Sequence, residues 1–187
     1  MDKKVYVFLA NGFEEIEALA PVDIMRRAGI DVITVSTIED LTLVSAHGIA
    51  VMADTIFGLC DYDDADLLFL PGGMPGAANL LACTSLCDML EKKHREGTCL
   101  AAICAAPFVL GELGLLEGRK ATCYPGFEEH LHGADVDDHA LIVRDGDDLY
   151  TACGPAAATE LGFAFVEKLC GKEKADEIRQ GMMFGRA

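Results

Sequence analysis

The sequence is poor in basic residues: 15 Lys and Arg stand against 31 Asp and Glu, a formal net charge of −16. A nucleic-acid or anionic-membrane surface needs clustered Lys and Arg, so the composition argues against both as partners. The acidic residues are spread along the chain, as on a solvated surface, and form no tail. No apolar run reaches the roughly 18 residues that a membrane helix needs. Met1-Asp2-Lys3-Lys4 leads into a short apolar run, 5–10, that Asn11-Gly12 stops. That run reads as a first strand, because a signal peptide would need a longer apolar core and a cleavage site. A cytoplasmic location is expected. The eight cysteines, Cys60, Cys83, Cys87, Cys99, Cys104, Cys123, Cys153 and Cys170, include no C-x-x-C. In a reducing compartment they are not a disulfide framework. Cys83 and Cys87 have no second ligand pair, and His130 and His132 have no partner in sequence, so no metal site is expected. Neither G-x-G-x-x-G nor G-x-x-x-x-G-K-[ST] occurs, and the first strand–helix turn is acidic. A dinucleotide or flavin phosphate is therefore not expected, nor is any other cofactor.

What is present is a chain of 187 residues, 51% hydrophobic, without linker, repeat or low-complexity segment. That suits one domain, 1–187, with a proper core. Residues 5–10 are almost continuously apolar, as in a parallel strand covered on both faces. Residues 14–28 read as a helix closed by Gly29, 31–36 as a β-branched strand and 49–52 as a short strand. Residues 67–71 read as a buried strand ending at Pro71-Gly72-Gly73. A helix over 76–96, ended by Gly97, precedes a strand over 98–103 and a helix over 105–113. Residues 139–143 and 148–152 flank Arg144-Asp145-Gly146-Asp147, a hairpin signal. Helices follow over 156–170 and 172–180. The alternation predicts an α/β fold: a mostly parallel sheet with helices on both faces and an antiparallel edge hairpin.

In such a sheet, function gathers at the carboxyl ends of the strands. Ala102-Ile103-Cys104-Ala105-Ala106 joins a buried strand to a helix in the form small-x-Cys-x-small, the cysteine counterpart of a nucleophile elbow. The turn is sharp, so only small residues fit two before and two after the nucleophile. The helix start favours the thiolate, so a depressed thiol pKa is expected. Taken alone, the segment reads equally as a structural cysteine in an Ala-rich core. Pro71-Gly72-Gly73 lets backbone approach a ligand, and the N–H groups of Gly73 and Ala105 would form an oxyanion hole beside Cys104. Alone, that segment reads equally as an ordinary turn. Glu14, Glu15 and Glu17 sit in the first turns of a helix, where acidic residues are common. Glu17 differs from the others. Pro21, four residues on, has no N–H for the Glu17 carbonyl, so an irregular helix is expected there. A protonated Glu17 reaching the nucleophile would hydrogen-bond the thiolate.

Together these segments resemble the ThiJ/PfpI superfamily, over almost the whole chain. The likeness runs from Asn11 to Glu17 and from Pro21 to Gly29. It continues through Leu70-Pro71-Gly72-Gly73 with Gly76, Ala102 to Pro107, and Gly154-Pro155. It implies a flavodoxin-like three-layer sandwich, a homodimer, Cys104 as nucleophile and Glu17 as its protonated carboxyl partner. It also places Gly73 and Ala105 at backbone oxyanion positions, and Cys123 and Cys153 near the site. The family's reported activities are glyoxalase, protein deglycase, oxidative-stress sensor and chaperone. Two departures matter. Ala105 stands where the protease-like branch has His, which argues against a Cys-His peptidase. Tyr124-Pro125 stands where the stress-protein branch has His-Pro. A phenol, with pKa about 10, is a poor base near neutral pH, so Tyr124 is expected to position substrate. The expected function is a cysteine-dependent, cofactor-independent enzyme acting on a small reactive carbonyl, an α-oxoaldehyde or a glycated adduct. The alternative is a redox sensor or chaperone using Cys104 oxidation.

Overall fold

The computed structural model describes residues 3–185. Met1, Asp2, Arg186 and Ala187, the ends of the expected 1–187 domain, lie outside the described residues. Strand β1 (Lys4–Leu9) is buried from its second residue onward, which explains its unbroken apolar run. Helix α1 (Glu15–Arg27) follows, acidic in its first turn and basic in its last, as the helix dipole favours. It leads to β2 (Asp31–Ser36), β3 (Thr42–Val44), β4 (Ala50–Met52) and β5 (Thr55–Ile56). The middle of the chain forms β6 (Leu67–Leu70), α2 (Gly76–Ala82), α3 (Thr84–Arg95), β7 (Cys99–Ile103) and α4 (Pro107–Glu112). Then come β8 (Lys120–Ala121), β9 (Asp135–Val136), β10 (Ile142–Asp145), β11 (Leu149–Ala152), α5 (Ala158–Cys170) and α6 (Lys172–Gly181).

The main sheet has the order β10-β11-β7-β6-β1-β2-β5 and is parallel except for the β10–β11 edge pair. From β1 the chain steps to β2 on one side; from β6 it steps to β7 on the other. Right-handed crossovers in opposite directions put α1 on one face and α2 with α3 on the other. Accordingly α1 packs on α5 and α5 on α6, while α2 packs on α3 and α4. Phe165 of α5 meets Phe69 edge-on at 5.3 Å and Tyr150 at 5.7 Å, which fastens the helix to the sheet. Each such aromatic pair adds about 0.5–1.5 kcal/mol beyond its buried area. The strand order reverses between β1 and β6, so the crevice of this sheet opens at their carboxyl ends.

Four local expectations are corrected. The helix expected over 76–96 is two helices, broken at Cys83, whose ψ of 89° is not helical. The break lets α2 pack on β1 and α4 while α3 covers β7. The helix expected from residue 105 starts at Pro107, because residues 104–106 form the turn that leaves the sheet. The first hairpin strand is Ile142–Asp145 and not 139–143, so the turn is shorter and opens at Gly146 (φ +63°), while the second strand, Leu149–Ala152, falls where expected. Helix α1 runs unbroken through Pro21, so the hydrogen bond lost at the Glu17 carbonyl does not interrupt it. The short strand read at 49–52 exists as β4, but it pairs with β3 in a separate ribbon.

Candidate active site

Cys104 follows β7 directly and has φ +63°, left-handed backbone at a non-glycine residue. Such a conformation costs roughly 1–3 kcal/mol and persists only where neighbours enforce it. Here the Cys104 N–H donates to the Ala152 carbonyl at 2.8 Å, and the Cys104 carbonyl accepts from the Tyr124 N–H at 2.8 Å. Ala102 and Ala106, on either side, are completely buried, so larger side chains would not fit. The elbow expected from the sequence is therefore present.

Glu17 reaches the same place from α1. Its side chain is fully buried, yet among the described residues it meets only one backbone donor: the Gly72 N–H donates to Oε2 at 3.0 Å. Oε1 is buried with no hydrogen-bond partner among the described residues. A Cβ at Gly72 would lie 2.6 Å from Glu17 Oε2, 2.6 Å from the Ile103 carbonyl oxygen and 2.7 Å from Cys104 Cβ. Glycine is thus required where carboxyl and thiol converge. Gly73, with φ +89°, turns its backbone into the same space.

The electrostatics follow from this crowding. Burial raises the Glu17 carboxyl to about 7; the Cys104 thiol opposes this, the Glu14 charge adds to it, and the Gly72 N–H opposes it. Burial, then the ionised Glu17 carboxylate beside it, push the Cys104 thiol up to about 12. The N–H groups of Gly73 and Ala105 act in the other direction, since both aim at the sulfur. The sequence leads to a depressed thiol; the opposite holds here, first because the thiol is buried and then because a second anion beside the Glu17 carboxylate is disfavoured. The two groups titrate as a pair. The thiolate is favoured only in the state where Glu17 keeps a proton, and the unpartnered Oε1 is the position from which it would donate.

Glu14 has a role that the sequence reading missed. It is the N-cap of α1: its Oε2 accepts the Glu17 N–H at 2.7 Å, and its own N–H donates to the Gly72 carbonyl at 2.9 Å. It ties the helix carrying Glu17 to the loop carrying Gly72 and Gly73. The Glu14-x-x-Glu17 spacing matches a cap to the third helical residue, but Glu is not among the preferred N-caps, so the signal was weak. Tyr124 is joined to Cys104 through its main chain, and its ring lies against Gly154, with Cδ2 3.3 Å from where a Cβ would stand. Among the described residues the hydroxyl of this half-exposed side chain has no hydrogen-bond partner. Cys123 is buried, with its thiol pushed up to about 12 by burial, and Cys153 is partly exposed; both are free thiols. Glu14, Glu15 and His47 bring three ligand-type atoms within 4.8 Å of one another. Glu14 is already engaged as the cap, however, and Glu15 Oε1 pairs with His47 Nδ1 at 2.9 Å.

A doubly wound sandwich with a strained cysteine after a central strand, facing a buried carboxyl at the switch point, defines a class of nucleophile-elbow α/β proteins. The chain belongs to the DJ-1/PfpI family, whose model matches residues 3–168. It is 43% identical over 180 residues to Protein DJ-1 homolog B of Arabidopsis thaliana, covering 94% of this chain and 40% of that one. The chain thus spans less than half the length of that plant relative. It is 33% identical over 144 residues to Deglycase PH1704 of Pyrococcus horikoshii, covering 76% of this chain and 86% of that one. Among solved structures, DJ-1beta of Drosophila melanogaster superposes with a TM-score of 0.94 at 33% identity, covering both chains fully. Oxidized DJ-1 of Toxoplasma gondii superposes with a TM-score of 0.92 at 33% identity, covering 98% of this chain and all of that one. No helix among the described residues is long and apolar enough to cross a membrane.

Proposed function

We propose that this protein is a cysteine-dependent, cofactor-independent enzyme acting on α-oxoaldehydes or the glycated adducts they form. The observation that carries the reading is the meeting of a strained Cys104 and a fully buried Glu17 across Gly72. The name of its relative Deglycase PH1704 supports the glycated-adduct half of this reading. In the proposed cycle the Cys104 thiolate adds to the aldehyde carbon, and the new C–S bond leaves the carbonyl electrons on oxygen. The Gly73 and Ala105 N–H groups hold that oxygen, and Glu17 delivers its proton to it. Glu17, now a carboxylate, removes the hydrogen on the former aldehyde carbon. The proton is returned to the neighbouring ketone carbon while the hydroxyl proton of the former aldehyde oxygen passes to the ketone oxygen, giving a 2-hydroxyacyl thioester. Water hydrolyses the thioester, releases the hydroxy acid and restores the thiol. One carbon is oxidised and its neighbour reduced, so the step balances without an external oxidant or reductant. Tyr124 positions the substrate oxygen through its hydroxyl. Formation of lactate from methylglyoxal by the wild-type chain, and its loss in Cys104→Ser, tests this reading.

A second reading has the same thiol as a redox sensor, which two equivalents of a peroxide oxidise through the sulfenic to the sulfinic acid, each peroxide giving up one oxygen and leaving as water or alcohol, with Glu17 holding the product. The oxidized Toxoplasma relative favours it. In either case we infer a homodimer. Ile16, Leu19, Val44, Ile49 and Met52 are exposed on the start of α1 and the β3–β4 ribbon. Backbone bonds from Gly12 to Val44 and from Ala46 to Phe13 hold that ribbon against the β1–α1 connection.

A further inference from the structure

Glu14 and Glu17 bury two carboxyl groups at one helix start. Glu14 is more than nine-tenths buried, and its Oε2 accepts the Glu17 N–H at 2.7 Å. Its own N–H donates to the Gly72 carbonyl at 2.9 Å, and its carbonyl accepts the Ala18 N–H at 3.1 Å. A Cβ at Gly73 would stand 2.4 Å from the Glu14 nitrogen, so loop and helix start have no slack between them. The Glu14 carboxylate is thus held in one place. Capping does not call for its charge. A cap needs an acceptor, and Ser, Thr and Asn supply one without an anion. The helix dipole makes an anion tolerable here, but burying it beside a second carboxyl still costs more than a neutral cap.

We propose that Glu14 is a positioning residue for the proton that Glu17 and Cys104 share: its fixed carboxylate keeps that proton on Glu17 and leaves the negative charge on the sulfur. The inference rests on the reading of Cys104 as nucleophile and Glu17 as its acid. Once the pair has lost one proton, it is either a thiolate beside a carboxylic acid or a thiol beside a carboxylate. Only the thiolate form is nucleophilic. Glu14 is bonded to the Glu17 main chain, and its charge favours the protonated Glu17 carboxyl. The sulfur faces Glu17 across Gly72, where the Gly73 and Ala105 N–H groups favour the anion. A like charge beside Glu17 and donors beside the sulfur tilt the proton the same way. Among the described residues, the titratable groups that bear on Glu17 are Cys104 and Glu14. Those against Glu14 on its other side are Glu15 and His47, which pair Oε1 to Nδ1 at 2.9 Å, so His47 answers Glu15 before Glu14.

The test compares Glu14→Gln, Glu14→Ser and Glu14→Asp with the wild type, in full chains whose other seven cysteines are replaced, each checked for folding by circular dichroism and urea denaturation. Gln keeps the length and the acceptor without the charge, Ser caps without charge, and Asp caps with it. Ultraviolet thiolate absorbance and the alkylation rate of Cys104 by iodoacetamide are read at pH 8, where the pair has lost its first proton. The thiolate fraction and the rate are expected to fall at least about threefold in Glu14→Gln and Glu14→Ser, and to stay within about twofold of the wild type in Glu14→Asp. The 13C carboxyl resonance of Glu17 is expected to titrate at lower pH in Glu14→Gln. Wild-type thiolate in the Gln and Ser chains would overturn the proposal and leave Glu14 a cap. An equal loss in all three would also overturn it, since reach and not charge would then be at work. No substrate is present, so a wild type that makes no lactate from methylglyoxal while Glu14→Gln still loses thiolate contradicts the proposed activity alone.

Discussion

Glu17 and Cys104 face one another across Gly72, a residue with no room for a single carbon: a Cβ there would be 2.6 Å from Glu17 Oε2 and 2.7 Å from Cys104 Cβ. The contact between the two acids is therefore set by three strand ends and not by side-chain choice alone. Gly72→Ala is expected to push them apart, costing about 1–3 kcal/mol in overpacking together with most of the activity. Urea denaturation and turnover of the same protein check this; wild-type values for both would show that the crowding has been misjudged.

The buried Glu17 gives stability a definite pH dependence. Its carboxyl is raised from 4.5 to about 7 on folding. The folded state therefore holds the proton more tightly than the unfolded chain. The stability from protonated Glu17 is fully present below about pH 4.5 and is lost as pH rises through about 7, a difference of about 3 kcal/mol. Glu17→Gln, neutral at every pH, is expected to gain on the wild type between pH 5 and pH 8. Melting curves at both values test it, and the gain is expected to persist in a Cys104→Ala background. Parallel pH profiles for the two proteins would contradict a raised Glu17.

Tyr124 separates positioning from proton transfer. Tyr124→Phe removes one hydroxyl and is expected to slow turnover up to about tenfold, the worth of one hydrogen bond. A loss of about 10²–10⁴-fold would make Tyr124 an acid or base and displace Glu17 from that role.

Assembly is predicted from surface and not from the site. Light scattering is expected to give twice the 20.0 kDa chain mass. Met52→Asp, in a side chain 74% exposed on β4, is expected to shift it toward the monomer. A wild-type monomer at micromolar concentration would contradict the dimer.

Much of this was legible in the sequence, for physical reasons. Strands covered on both faces must be apolar throughout, so β1, β6 and β7 stood out. Pro71-Gly72-Gly73 and the alanines around Cys104 showed where backbone must approach backbone. Other features had no such signature. The break at Cys83 is one torsion inside a good helical pattern. Strands of two or three residues, such as β5, β8 and β9, are too short to show alternation. The cap from Glu14 uses a residue that seldom caps. The thiol's upward shift comes first from its burial and then from the Glu17 carboxylate beside it, neither of which a local motif records.

The central claim is that Cys104 and Glu17 complete a catalytic cycle. Methylglyoxal consumption and lactate formation, measured together over time with Cys123 and Cys153 replaced, test it most directly. Many equivalents of lactate per chain, matched to methylglyoxal lost and abolished in Cys104→Ser, are the predicted result. Consumption that stopped at one equivalent without lactate, or turnover that survived in Cys104→Ser, would contradict it.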